Sequence, residues 1–404
     1  MSLDHTVTAQ AGTAPNVYDA EPIPEAARAE IDRLLTSGDL FRYTTENAPV
    51  ALLEAEFAAF MGCRYALAVS SCSAALFLSL KALDLPQGAK VLIPAFTFAA
   101  VPSAVLHADC VPVLVEVSAN YRVDMVDFAA KLDDTIAAVL ISHMRGHTSD
   151  MDAIMALCDA RGIPVIEDAA HSLGTEWHGR KIGTIGKIGC FSFQSYKLIN
   201  AGEGGIMVTD DPEIAARAII MSGAYEHNWK KHPGMQNSFH HWQNRLPLYN
   251  MRMQNLSAAV IRPQIAEVPR RVAAGRANHD YVAGCLNQSP WLDVPPPLAP
   301  EVRAPDSIQF NLVGFDSDAE VLAYQVEAKQ RGVPVQVFGL SQDNARAFWN
   351  WKFLGEPAAL PQTRAMLMRA CDARLPARLT RDELDYIVEA LVAAAVAVKG
   401  RQAA

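Results

Sequence analysis

Lys197 has the most chemically specific surroundings of any residue in this sequence. It lies between a short apolar and aromatic run, residues 189–193, and a glycine-rich turn at residues 202–205. Asp168, 29 residues earlier, ends another apolar run. A lysine amine can form a Schiff base with the aldehyde of pyridoxal phosphate, and an acid can keep the pyridine nitrogen of that cofactor protonated. The pair therefore predicts chemistry on a pyridoxal cofactor.

Both residues also have an ordinary structural interpretation. An aspartate at a strand end commonly caps the following turn, and a lysine beside glycines is commonly a solvated surface charge. The aromatic and apolar surroundings of Lys197 favour a functional amine. His171 follows Asp168 closely, and Ser192 precedes Lys197 closely, so both can reach the same ligand.

Small residues at positions 70–73 connect a predicted strand to a predicted helix. The first N–H groups of a helix and its dipole favour an anion, so Cys72 and Ser73 can line a phosphate site. Ser73 is equally well explained as an ordinary helix cap. Phe98, after the next predicted strand, can stack on a flat ring. An isolated phenylalanine, however, more often belongs to the core.

The elements that must position these residues alternate along residues 25–224. Apolar runs predict strands at residues 65–70, 90–94, 111–115, 137–142, 164–168, 189–193 and 205–209. Helical patterns fall between most of them, at residues 74–83, 99–107, 125–132, 151–160 and 212–221. This alternation predicts an α/β fold with a mostly parallel sheet between helices.

The remainder of the chain predicts a smaller α+β unit. Residues 229–249 are polar and aromatic, which indicates a long irregular loop. Residues 256–272 are predicted to be helical, kinked or divided by Pro263 and Pro269. Further elements are predicted as strands at 307–312 and 333–337 and helices at 319–331 and 381–398, the last capped by Thr380 with Glu383. We therefore expect a large domain over residues 1–265 and a small domain over residues 266–404.

Composition narrows the class of protein. The chain has 404 residues, is half apolar and carries a formal charge of −9 without a basic stripe, which argues against a nucleic-acid partner. No apolar run is long enough for a membrane helix, and no signal pattern opens the chain, so we expect no membrane association. Seven scattered cysteines are typical of a reduced cytoplasmic protein.

Four histidines at positions 227, 232, 240 and 241 lack the spacing of metal ligands. We expect no metal site, and we interpret these side chains as facing substrate or a subunit interface. Five polar residues are the candidates for contact with an anionic substrate: Arg42, Tyr43, Arg145, His227 and Arg252.

The order and spacing of these motifs resemble the DegT/DnrJ/EryC1/StrS family of pyridoxal phosphate (PLP)-dependent sugar aminotransferases. The resemblance covers about residues 40–384 and is most specific over residues 166–210. Further matches lie at residues 142–152, 249–253 and 375–380. It implies the aspartate-aminotransferase fold, PLP fold type I, with a large mixed sheet domain and a smaller C-terminal domain.

The resemblance also assigns roles to individual residues. Lys197 would hold the cofactor and move the proton, Asp168 would pair with the pyridinium nitrogen, and His171 would lie near the ring hydroxyl. The remaining assignments place Phe98 on the ring, with Cys72, Ser73 and Ser192 around the phosphate. Asn250 would reach the phosphate of the neighbouring subunit, which implies a homodimer with shared active sites.

This chain departs from the family pattern in three places. Cys72 and Ser73 replace the usual Gly-Thr, and Leu248 and Met251 change the segment around Asn250. Residues 337–342 lack the Tyr-x-Pro-Leu-His pattern of members that act on nucleotide sugars.

The predicted reaction is transfer of an amino group from an amino-acid donor, L-glutamate, to a keto-sugar, keto-cyclitol or similar carbonyl compound in a ping-pong cycle. A PLP-dependent sugar dehydratase of the same fold is one alternative, although such relatives carry histidine in place of the lysine. A PLP-binding regulatory protein without turnover is another.

Overall fold

The computed structural model describes residues 14–223, 229–230, 232, 235–341 and 343–400. The helices in these ranges are α1 (Glu25–Ser37), α2 (Pro49–Met61), α3 (Cys72–Ala82), α4 (Ala100–His107), α5 (Met125–Lys131), α6 (Met151–Asp159), α7 (Pro212–Met221), α8 (Gln236–Trp242), α9 (Asn255–Ile265), α10 (Val268–Leu286), α11 (Asp318–Gln330), α12 (Pro361–Leu367) and α13 (Arg381–Gly400). The strands are β1 (Tyr65–Val69), β2 (Lys90–Pro94), β3 (Val111–Val115), β4 (Ile136–Ser142), β5 (Val165–Asp168), β6 (Glu176–Trp177), β7 (Arg180–Lys181), β8 (Ile188–Ser192), β9 (Gly205–Thr209), β10 (Leu292–Asp293), β11 (Glu301–Val302), β12 (Ser307–Leu312), β13 (Gln336–Val337) and β14 (Ala370–Arg374).

A seven-stranded sheet in the order β1-β9-β8-β5-β4-β2-β3 organises the larger part of the chain. β9 runs antiparallel to β1 and β8, and the other neighbours are parallel. The central strands read as nearly continuous apolar runs because helices cover the sheet and bury them. The predicted α/β class with a mixed, mostly parallel sheet is confirmed.

This topology brings several loops to one edge of the sheet. Because β9 alone runs the other way, the carboxyl ends of β1, β2, β4, β5 and β8 point to the same side. Ligands of open α/β sheets bind outside the carboxyl ends of the strands. The segments that follow these five strands carry the candidate residues, from Cys72 to Lys197.

A second sheet, in the order β10-β12-β14-β13, has its own apolar core together with α11 and α13. α10 contributes Val268 and Val272 to the core of the large sheet and Val282 and Leu286 to this second core. The helix therefore joins the two parts. The division at residues 265 and 266 stays a prediction.

Most predicted elements agree with the structure to within two residues. The helical stretch predicted at residues 256–272 is divided into α9 and α10, with Pro269 in the first turn of α10, but α10 continues to Leu286, well beyond the predicted end. The strand expected at residues 333–337 is shorter, since β13 covers Gln336–Val337. Pro334 explains this, because proline cannot donate a hydrogen bond to a neighbouring strand. The cap of α13 is as predicted: Glu383 accepts from the Thr380 N–H at 2.7 Å.

The loop predicted at residues 229–249 is not wholly irregular, because it contains α8. Phe239 on α8 is fully buried, and its ring lies 4.9 Å from that of Trp229. The Trp242 indole donates to Glu213 of α7 at 2.6 Å. These contacts stabilise a short helix that its polar sequence did not predict.

Among the described helices, none has the length and apolar character needed to cross a bilayer.

Candidate active site

A cavity of about 490 Å³ opens at the carboxyl edge of the large sheet. Loops from the large sheet and residues from the smaller one contribute to its wall. The lining includes Ser71, Cys72, Ser73, Phe98, Arg145, Asp168, His171, Ser192, Gln194, Tyr196, Lys197, Glu203, Asp306, Arg346 and Arg374. Seven of the eight residues predicted to form the site are therefore together in one cavity.

Lys197 occupies the loop between β8 and β9. Hydrogen bonds hold this loop in shape, including Lys197 N–H to the Gln194 carbonyl at 2.8 Å and Phe193 N–H to the Gly204 carbonyl at 2.9 Å. The Nζ atom lies 2.8 Å from Nε2 of His171. Burial lowers the pKa of Lys197 to about 8, so a sizeable neutral fraction exists near physiological pH.

His171 is the immediate neighbour of that amine. Burial, followed by the positive charges of Lys197 and Arg145, lowers the pKa of its imidazole well below the ordinary value. The ring is therefore neutral at physiological pH. It can accept a hydrogen bond at one nitrogen and donate one at the other.

Asp168 ends β5, the central strand of the sheet, and its side chain is held by two donors. Ser142 Oγ donates to Oδ2 at 2.8 Å, and the Ala170 N–H donates to Oδ1 at 3.2 Å. Cys72 Sγ lies 3.9 Å from Oδ1. The carboxylate is thus fixed in position at the cavity wall.

The amino end of α3 forms another part of the wall. Ser71, rather than Ser73, is the N-cap, and its side chain accepts from the Ala74 N–H at 3.1 Å. The ordinary cap interpretation of Ser73 therefore does not apply. The first N–H groups of a helix have no acceptor within it, so those of Cys72 and Ser73 are suited to an anion.

The amino end of α3 also sits directly on Gly205. A Cβ atom built on Gly205 would lie 2.3 Å from the carbonyl carbon of Ser71. Glycine is therefore required there for the helix to approach the sheet this closely.

Phe98 and Asn250 differ in where they lie. Phe98 lines the cavity with 48% of its surface exposed, which excludes the core interpretation. Asn250 does not line it. It is exposed and borders a second cavity of about 370 Å³, together with Arg42, Arg252 and Glu203.

Of the residues predicted to meet an anionic substrate, Arg145 lines the Lys197 cavity. Arg42 instead donates to Ser222 Oγ at 2.6 Å, and Tyr43 donates to Glu54 at 2.8 Å, so the contacts of both are internal. Arg252 borders the second cavity. His227 lies outside the described residues.

Sequence reasoning missed two arginines of the cavity, Arg346 and Arg374. Arg346 precedes a 3-10 turn, and Arg374 ends β14, where its guanidinium lies 4.7 Å from the centre of the Tyr196 ring. No spacing in the sequence relates them to Lys197. Arg374 directly precedes the matching segment at residues 375–380, and that was the available signal.

Two of the loop histidines, His240 and His241, lie on α8, away from this cavity. In the part of the chain that the structure describes, no cluster of three or more histidine, cysteine or acidic side chains could hold a metal ion.

The cavity thus combines four chemical capacities. It offers a nucleophilic amine with a lowered pKa, a neutral imidazole 2.8 Å away, a fixed carboxylate and a helix terminus suited to a phosphate. An amine and an acid placed around an aromatic surface are what pyridoxal chemistry requires. The fold and the site together define an aminotransferase.

Comparison with known proteins agrees with this class. A family model described as the DegT/DnrJ/EryC1/StrS aminotransferase family matches residues 23–392, so the chain belongs to that family. The spore coat polysaccharide biosynthesis protein SpsC of Bacillus subtilis is 28% identical over 90% of this chain and 92% of its own length. GDP-perosamine synthase of Vibrio cholerae is 33% identical over 55% of this chain and 58% of its own length.

A solved structure gives the same result at the level of the fold. The crystal structure of 3-amino-5-hydroxybenzoic acid synthase superposes with a TM-score of 0.83 over 95% of this chain and all of that one, at 25% identity. The resemblance found in the sequence is therefore confirmed.

Proposed function

We propose that this protein is a PLP-dependent transaminase that moves an amino group from an amino-acid donor to a keto-sugar or keto-cyclitol in a ping-pong cycle. The observation that carries this proposal is Lys197, whose amine has a pKa near 8 and faces His171 in the same cavity as Asp168. L-glutamate is the proposed donor.

The residues present fit PLP. Its phosphate would be held by the N–H groups of Cys72 and Ser73 with the Ser192 hydroxyl, its ring by Phe98, and its pyridine nitrogen by Asp168. When bound, PLP supplies an electron sink for a carbanion and a carrier for the amino group.

The protein's own side chains supply positioning and proton transfer. Asp168 would present its carboxylate to the pyridine nitrogen, in an orientation that hydrogen bonds from Ser142 and the Ala170 N–H fix. The Lys197 amine, which loses its proton readily at a pKa of about 8, is placed to act as the base that takes a proton from the substrate carbon and returns it. His171, neutral and within hydrogen-bond distance, orients that amine.

The acceptor class rests on relatives. Those found include GDP-perosamine synthase and a UDP-N-acetyl-3-dehydro-α-D-glucosamine 3-aminotransferase, and their names support amino transfer to a carbonyl group of a sugar. Residues 337–342, however, lack the pattern typical of members that act on nucleotide sugars. The acceptor proposed for this chain therefore includes carbonyl compounds without a nucleotide.

We also propose a homodimer with shared active sites. The location of Asn250, exposed and outside the Lys197 cavity of its own chain, supports a role in the neighbouring subunit's phosphate site.

The cytoplasm is the proposed location, supported by seven cysteines that are all free thiols.

A Lys197→Ala variant tests the mechanism. Purified wild-type protein with PLP should change its cofactor absorbance when L-glutamate is added, and Lys197→Ala should show neither that change nor turnover. Lys187→Ala is the matched control, because Lys187 is half exposed and pairs with Asp211 outside the cavity. Normal transamination by Lys197→Ala would refute the mechanism.

The two alternative functions give different results in the same assay. A sugar dehydratase would yield a product lighter by one water, whereas a transaminase yields a product that has gained an amine, and mass spectrometry distinguishes them. A regulatory protein without turnover would bind PLP but show no donor-dependent change with any amino acid.

A further inference from the structure

Three arginines converge on the Lys197 cavity from different parts of the chain. Arg145 follows β4 of the large sheet, whereas Arg346 and Arg374 come from the smaller part. All three line the cavity. They also lie within electrostatic range of one imidazole, since each lowers the pKa of His171.

The protein itself satisfies these charges only in part. Arg145 forms an ion pair with Asp372. Arg346 donates to the neutral side chain of Gln336 at 3.0 Å, and Arg374 lies over the Tyr196 ring. Neither Arg346 nor Arg374 has an ion-pair partner among the described residues.

One donor atom of each arginine is also unsatisfied. The Nε atoms of Arg145, Arg346 and Arg374 are each buried without a hydrogen-bond partner in the described part of the chain. Buried donors without partners are rare in native proteins, and a catalytic or binding role is one explanation for them. A guanidinium fork matches a carboxylate geometrically, through two parallel N–H···O bonds.

In a ping-pong cycle the amino-acid donor and the keto acceptor bind at the same site in turn. Both substrates must reach Lys197, so both occupy the cavity that contains the arginines. A neutral acceptor would expel water from Arg346 and Arg374 without replacing its hydrogen bonds. An acceptor with its own anionic group avoids that loss.

We propose that the keto acceptor of this transaminase carries a carboxylate, bound by Arg346 and Arg374 with Arg145 beside them. This inference rests on the proposed function and deepens it. The substrate class is then a keto-sugar acid, or an analogous keto-cyclitol acid, rather than a neutral sugar.

The test separates the two half-reactions. Wild-type protein with PLP is first treated with L-glutamate, and the resulting amine form is freed of donor by gel filtration. It is then mixed with 5-keto-D-gluconate or with L-sorbose, which differ only in a carboxylate replacing a hydroxymethyl group. We expect kcat/KM for the keto acid to be higher by roughly 30-fold or more, since unpaired buried charges typically cost about 2 kcal/mol or more.

Variants tie the preference to the cluster. Arg374→Gln and Arg346→Gln should each reduce the preference to a few-fold, chiefly by raising KM for 5-keto-D-gluconate. Arg28→Gln is the control, because the Arg28 side chain is 75% exposed on α1 and pairs with Glu25 of the same helix. Retention of the full preference in both cavity variants would overturn the assignment.

Failure of the inference is distinguishable from failure of the proposed function. If L-glutamate and other amino acids leave the cofactor unchanged in the first step, the transaminase proposal itself has failed. If the first step succeeds and the two ketoses react equally, L-sorbose is preferred or neither reacts, the carboxylate assignment is overturned.

Discussion

Ser142 donates a 2.8 Å hydrogen bond to Oδ2 of Asp168, across the two neighbouring parallel strands that these residues end. The two residues are directly paired in the register of β4 and β5. The bond sets the orientation of the carboxylate, so the role proposed for Asp168 depends on Ser142.

Replacement of Ser142 by alanine should therefore weaken cofactor binding and turnover together. Hydrogen bonds to charged groups contribute about 1.5–3 kcal/mol, which predicts a loss of roughly 10-fold or more in PLP affinity. Titration of the apoprotein with PLP, followed by absorbance, measures it. Thr209→Ala is the matched control. It removes a buried hydroxyl that donates a hydrogen bond to the backbone carbonyl of Lys187, at the opposite edge of the sheet. Equal PLP affinities of wild type and Ser142→Ala would contradict this role.

The lowered pKa of Lys197 predicts a pH dependence for the free amine. With a pKa of about 8, the amine gains nucleophilicity as the pH rises through 8, whereas an ordinary lysine does so near about 10.4. Trace acetylation of the apoprotein at several pH values, with peptide mass spectrometry, gives the midpoint for Lys197. A midpoint near that of ordinary lysines would show that burial does not activate this amine.

The same shift affects stability in a defined window. The folded state releases the Lys197 proton at a lower pH than the unfolded chain does, so between about pH 8 and 10.5 the unfolded chain binds more protons. The contribution of Lys197 to the free energy of unfolding therefore rises with pH across that window.

Gly205→Ala should disrupt the amino end of α3. The added methyl group would meet backbone atoms of Ser71 and Cys72 at 2.3–2.4 Å, and backbone cannot move aside as a flexible side chain can. We expect a loss of about 2 kcal/mol or more in unfolding free energy and weaker PLP binding. Gly284→Ala is the control: it lies in α10 with open space around it, and alanine there should stabilise by up to about 1 kcal/mol. Urea unfolding of both variants tests the contrast.

The buried carboxylate of Glu167, next to Asp168, should make the stability of the folded protein sensitive to acid. Burial alone disfavours its charge, but hydrogen bonds from His143 and from the N–H groups of Gly183 and Gly186 outweigh that effect and hold the pKa below its ordinary value of 4.5. The stabilisation is therefore present above pH 4.5 and is lost as the pH falls through the folded-state pKa.

A Glu167→Gln variant should accordingly lose about 3 kcal/mol of unfolding free energy at pH 7, because it leaves buried donors without their charged acceptor. The difference from wild type should shrink below pH 4.5. Chemical unfolding at pH 7 and at lower pH measures this, with Glu389→Gln on the exposed face of α13 as control. A difference that does not change with pH would exclude the charge as its cause.

The agreement between prediction and structure was uneven for identifiable reasons. β2 and β9 were predicted to the residue because a buried strand is a nearly continuous apolar run. β3, at the edge of the sheet and partly exposed, was also predicted to the residue from its apolar run. β14 was missed, since Ala370–Arg374 include Asp372, whose carboxylate is buried and accepts from Gln309, a residue distant in the sequence. α8 was missed for a similar reason, because it depends on Phe239 packing against Trp229.

The sequence by itself determined the reactive pair and its surroundings. Asp168 stands at the end of one apolar run and Lys197 lies shortly after another, and strand ends are local features that periodicity and composition reveal. Only the tertiary structure decided which other charges meet them. Arg346 and Arg374 reach Lys197 from the smaller part of the chain, and Arg42 and Asn250 turn to a different cavity, because such contacts depend on how packed elements are arranged and leave no periodic trace in the sequence.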